Sequence, residues 1–91
     1  MDARELVAWN LRRLRVTRGL AQEALAVDAE IERTYVSRIE RNMENPTVAV
    51  LERLAHALNA EIVEFFRVPQ AGEAAPPLLT KGRKRGATNS R

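Results

Sequence analysis

Arg33-Thr34-Tyr35-Val36-Ser37-Arg38-Ile39-Glu40-Arg41 looks uniformly polar until it is wound into a helix at about 100° per residue, when it separates into two faces. With Arg33 at zero, Val36 and Ile39 fall near about 300° and 240° and mark the side that packs. Arg41, Thr34 and Arg38 then lie at about 80°, 100° and 140°, opposite that stripe, with Ser37 near about 40° and Arg33 at the rim. Glu40, near about 340°, sits at the edge of the apolar stripe, so the segment's outward face carries donors and no acid. Arg can give guanine two hydrogen bonds, Ser and Thr adapt to either partner, and a Thr methyl can touch thymine, so the face suits a DNA major groove. An ordinary solvated helix can show the same pattern, and the surrounding sequence has to decide.

Outward from this segment, further helices are legible. Asp2, with Glu5 three positions on, can cap a helix over 3–18 that stops at Gly19. Val7, Leu11 and Leu14 share its stripe, leaving Trp9, Arg12, Arg13 and Val16 facing away. A short helix from Gln22 to about residue 27 buries Leu25 and Ala26, and about five residues join it to the segment 33–41. Asn45-Pro46-Thr47 is a turn and cap, after which Val48, Leu51, Leu54, Ala55 and Leu58 form a stripe that Asn59 ends. A last helix over 61–66 groups Ile62, Phe65 and Phe66, with Phe66 expected in the core, before Pro69. The expectation is a compact all-α fold of five helices in residues 1–68, with 69–91 a flexible basic tail.

Composition narrows the function. A chain of 91 residues has room for one modest core. It has no cysteine and a single histidine, His56, so disulfide and thiolate sites are excluded, no metal or other cofactor is expected, and no catalytic constellation is visible. No apolar run approaches the roughly 20 residues that cross a bilayer, so the expectation is a cytoplasmic protein without membrane partners. The net charge of +3 is uneven: residues 1–68 hold 10 Arg against 11 Asp and Glu, and Lys81, Arg83, Lys84, Arg85 and Arg91 supply the excess. Bulk charge therefore does not identify a binding face, and position on α-helical surfaces must.

Leu11, Leu14, Arg15, Gly19-Leu20, Gln22-Glu23-Ala24-Leu25-Ala26, Tyr35-Val36-Ser37-Arg38-Ile39-Glu40 and Leu54-Ala55-His56-Ala57-Leu58 occur in an order and spacing that resembles the Cro and phage-repressor type of helix-turn-helix. The resemblance covers about residues 5–66 and implies a lambda-repressor-like fold. It also implies a transcriptional regulator, chiefly a repressor, that binds double-stranded DNA as a homodimer with helix 33–41 in the major groove. Carried onto this chain, it makes Arg33, Thr34 and Arg38 the base readers. Gln22, Tyr35, Ser37, Arg41, Asn42 and Asn45 become backbone contacts, the loop 42–45 offering main-chain N–H groups. Arg15 and Glu40 match a structural ion pair.

Three positions depart from the family pattern. Ala21 replaces the usual Ser or Thr cap of the second helix, Glu30 stands where the turn usually has Gly, and Asn42 replaces the Gly after the recognition helix. Glu30 would be strained, or its turn reshaped, if the position requires a positive φ. Two other readings fit the sequence: an antitoxin-type regulator with a protein partner, and a helical interaction module that uses the Trp9 and Val16 face without binding DNA. Phe66 offers a dimer contact if it is not in the core.

Overall fold

A computed structural model describes residues 1–76, and the run 77–91, with the tail expectation that falls on it, lies outside the described residues. The helices are α1 Ala3–Thr17, α2 Gln22–Ala29, α3 Arg33–Glu40 and α4 Val48–Ala57. The fifth element, Ile62–Phe66, is a 3-10 turn, so the expected five-helix bundle is corrected to four α-helices and one turn. The element is only five residues long, between a helix stop at Asn59 and extended chain at Arg67, and takes the tighter i to i+3 winding, seen in the 2.9 Å bond from Glu64 N–H to Glu61 O.

Starts and stops follow side-chain chemistry. Asp2 and Glu5 exchange reciprocal 2.9 Å bonds with each other's backbone N–H groups, and Thr47 Oγ1 accepts from Val50 N–H at 3.1 Å. Every α-helix ends in the same way, with a left-handed residue followed by a residue whose N–H returns to the carbonyl five positions earlier. The left-handed residues are Gly19, Glu30, Asn42 and Asn59, with φ of 68°, 59°, 59° and 54°. The returning bonds are Leu20 to Arg15, Ile31 to Ala26, Met43 to Arg38 and Ala60 to Ala55. Leu20, Ile31 and Ala60 also pack against the core. Three of these stops were visible as Gly or Asn. The one at Glu30 was not, which is why α2 runs two residues beyond its expected end and the link to α3 is three residues long.

α1 packs on α3 and on the 3-10 turn, while α2 packs on α3 and α4. Leu11, Leu25, Val36, Leu54 and Phe65 are fully buried where these elements meet. Two apolar expectations are corrected. Phe66 is 41% exposed, because Phe65 alone fills the core from the 3-10 turn and its neighbour is rotated outward. Val48, the first residue of α4, is 73% exposed, and burial along the stripe begins at Leu51.

Polar groups fasten the turn to α1. Asn10 is fully buried, its Nδ2 lying 2.9 Å from Phe65 O and 2.8 Å from Arg67 O while Oδ1 accepts from Arg13 Nε at 3.0 Å. Arg13 Nη2 adds bonds of 3.2 Å to Glu64 O and Oε1. Trp9, which faces away from the α1 stripe, is half-buried under the Arg67 guanidinium, 5.6 Å from the ring centroid. Arg67 also pairs with Glu73 at 2.8 Å, and Gln70 and Glu73 close a turn, so the chain just past Pro69 folds back on Arg67.

Candidate nucleic-acid interface

Val36 and Ile39 lock one side of α3 into the core, each contributing about 1.5–3 kcal/mol on burial. The opposite side is open: Arg33, Thr34 and Arg41 are exposed, and Ser37 and Arg38 are half-buried. Tyr35 is half-buried against the core. Arg41 is the cap rather than part of the helix, its Nε reaching Ser37 O at 3.4 Å. The described face is not free of acid, as the segment alone had suggested. Glu44 comes round from the following loop, and its Oε2 accepts from Arg38 Nε at 2.7 Å.

Glu40 lies behind α3 at the centre of a charged hub. Arg15 donates to it from Nε at 2.6 Å and from Nη2 at 2.9 Å, with side chains only 3% and 0% exposed. Arg15 Nη1 donates to Leu20 O at 2.7 Å, fastening the α1 terminus as well. Glu40 Oε1 accepts two more donors, Gln22 Nε2 at 3.1 Å and Arg12 Nε at 3.5 Å. Four hydrogen bonds on one buried carboxylate satisfy its lone pairs, the condition under which such a pair can fix geometry instead of stranding charge. The hub ties α1, the start of α2 and the end of α3 together. Gln22, assigned by sequence to a phosphate, therefore spends an amide N–H inside the protein.

The loop after α3 has fewer free N–H groups than its sequence suggested. Asn42 N–H goes to Ile39 O at 3.0 Å and Met43 N–H to Arg38 O at 2.8 Å, closing the helix end. Among the described residues, the N–H groups of Glu44 and Asn45 have no intrachain acceptor and remain available to an anion. Asn42 Oδ1 is buried and has no hydrogen-bond partner among the described residues, while the Asn45 side chain is exposed.

The helix-turn-helix family profile matches residues 11–65, from the middle of α1 to the 3-10 turn. The chain belongs to this family. It is a DNA-binding transcriptional regulator of the Cro and phage-repressor type. A helix-turn-helix-type transcriptional regulator of Sinorhizobium fredii is 44% identical over 65 residues, 71% of this chain and 84% of the relative. A hypothetical transcription factor of Neisseria meningitidis is 38% identical over 69 residues, and the match takes up 76% of this chain and 65% of that relative's length. A crystal structure of a hypothetical Neisseria transcription factor superposes with a TM-score of 0.73 at 37% identity, covering 77% of this chain and 80% of that one. The restriction-modification controller protein C.AhdI of Aeromonas hydrophila gives 0.67 at 36% identity, covering 69% and 96%.

Within this helix-turn-helix domain, sequence reasoning missed residues whose partners are distant in the chain. Arg53 on α4 donates from Nε to Ala29 O at 3.2 Å and from Nη2 to Glu30 O, gripping the end of α2 where the link to α3 begins. Its only sequence signal was an exposed arginine in an amphipathic helix. Glu44 was legible as an acid six residues beyond Arg38, but only the reversal at Asn42 brings the two together. His56 is exposed, and no helix among the described residues is long and apolar enough to cross a membrane.

Proposed function

We propose that this regulator represses transcription by binding operator DNA as a homodimer, with α3 of each protomer in the major groove of one half-site. Residues 1–68 act as the DNA-binding domain. One observation carries the reading: Arg33, Thr34, Arg38 and Arg41 lie away from Val36 and Ile39, while the only acid within α3 is withdrawn into the Arg15 hub. Arg33, Thr34 and Arg38 read bases, and Tyr35, Ser37, Arg41, Asn45 and the Glu44 and Asn45 N–H groups face the backbone. Gln22 approaches a phosphate with the amide hydrogen that Glu40 does not take. The exposed Ile62, Val63 and Phe66 on the 3-10 turn offer apolar surface to a second copy.

The test is selection of duplexes from a random pool followed by gel shift. Two half-sites about one helical turn apart should emerge. Arg33→Ala and Thr34→Ala should each cost about 1–3 kcal/mol on the selected duplex and relax preference at one position, whereas Gln22→Ala should weaken all duplexes alike. Wild-type preference in these two variants and in Arg38→Ala would show that α3 does not read the operator. Control of restriction-modification genes is a narrower reading favoured by the C.AhdI likeness. It expects the selected site upstream of such genes.

A further inference from the structure

We infer that Glu44 is a specificity-determining positioning residue, holding Arg38 by its Nε so that both Nη groups are presented together to guanine. The inference rests on the assignment of Arg38 as a base reader. Arg38 Nε donates to Glu44 Oε2 at 2.7 Å, and among the described residues Nη1 and Nη2 make no hydrogen bond. The contact therefore uses the one nitrogen that an end-on, two-bond approach to guanine O6 and N7 does not need. It also fixes the plane of the guanidinium, which otherwise turns about several side-chain bonds.

The backbone makes the pairing possible. Asn42 takes a left-handed conformation with φ 59°, and Met43 N–H returns to Arg38 O at 2.8 Å. Arg38 thus anchors the loop through its carbonyl while its side chain receives the acid two residues past the reversal. Both side chains keep partial access to solvent, at 40% and 31%. An ion pair of that exposure adds little to folding, so its consequence lies in where it puts the guanidinium.

Glu44 also acts against the wrong DNA. On a duplex without guanine at the contacted position, Arg38 remains neutralised by its partner and contributes less to phosphate attraction. The carboxylate at the same time repels the backbone. On the right duplex the Nη pair is satisfied without breaking the Nε bond. One acid thereby lowers non-specific affinity and raises the cost of a mismatch.

The experiment compares wild type, Glu44→Ala, Arg38→Ala and the double variant on two duplexes. One is selected by the wild-type protein from a random pool, and the other differs at the base pair whose preference Arg38→Ala abolishes. Circular dichroism confirms that each variant is helical. The expected result is that Glu44→Ala tightens binding to the substituted duplex several-fold, weakens binding to the selected one, and reduces discrimination about ten-fold. In the Arg38→Ala background the same change should shift both duplexes equally. If Glu44→Ala tightens both duplexes by one factor while Arg38→Ala still abolishes a preference, Glu44 is only a repelling charge and the inference fails alone. If Arg38→Ala retains every wild-type base preference, the base-reader assignment fails and takes the inference with it.

Discussion

Glu30 holds a left-handed conformation, φ 59° and ψ 45°, that a side chain bearing Cβ adopts at a cost of about 1–2 kcal/mol. Arg53, bonded to the carbonyls of Ala29 and Glu30, and the return bond from Ile31 to Ala26 hold the turn in this shape. The turn is therefore not reshaped. Glu30→Gly removes the strain but frees the unfolded chain, at about 0.5–1 kcal/mol, leaving a net gain between about 0 and 1.5 kcal/mol. A urea midpoint shifted upward with unchanged slope, and a melting temperature raised by a few degrees, is the expected outcome. A lower midpoint would show that the left-handed turn costs Glu30 less than the freedom Gly adds to the unfolded chain.

At the scale of the element, helix identity was largely written in local residues. Asp2, Thr47, Gly19 and Asn59 mark ends by chemistry that acts within a few residues, and each has the role expected of it. Phe66 and Val48 were misread because their burial depends on what lies opposite. Periodicity gives the direction of a side chain but not the reach of the neighbouring element. The outward residues of α3 were legible as a face, whereas the acid beside Arg38 depended on a chain reversal. The segment from Arg67 to Glu73 was beyond local pattern altogether, since its hold comes from Trp9 and from one ion pair.

That clasp titrates. The Arg67 hydrogen bond, followed by that from Gln70 N–H, holds the Glu73 carboxyl below the ordinary glutamate value. A lowered pKa means that the contribution is fully present above the unfolded value and is lost as pH falls through the folded one. Trp9 is the chain's single tryptophan, so its fluorescence reports this site alone. The emission should change in an acid step below the ordinary glutamate range while far-ultraviolet dichroism stays constant. Glu73→Gln should abolish the step, and a step that survives would assign it to another carboxylate.

For the whole molecule, the question is what the 3-10 turn meets. Val63 and Phe66 stand 67% and 41% exposed on an element whose Phe65 is buried. If this surface joins two copies, Phe66→Asp should leave the helical content intact and convert the protein to monomer in sedimentation. DNA affinity should then fall most on duplexes with both half-sites, because the second recognition helix no longer arrives with the first. Equal sedimentation of variant and wild type would place the dimer contact elsewhere.

Glu40 has a consequence for changing what the protein reads. Arg15, Arg12 and Gln22 set the pose of α3 through that carboxylate, and Val36 and Ile39 seat the helix, all without using a side chain on its outward face. Residues 33 and 34 can therefore be rewritten as an alphabet on a fixed mount, one letter at a time. Position 38 is spelled with two letters: a new side chain there inherits Glu44 as its neighbour, so retargeting calls for a library in which 38 and 44 vary together.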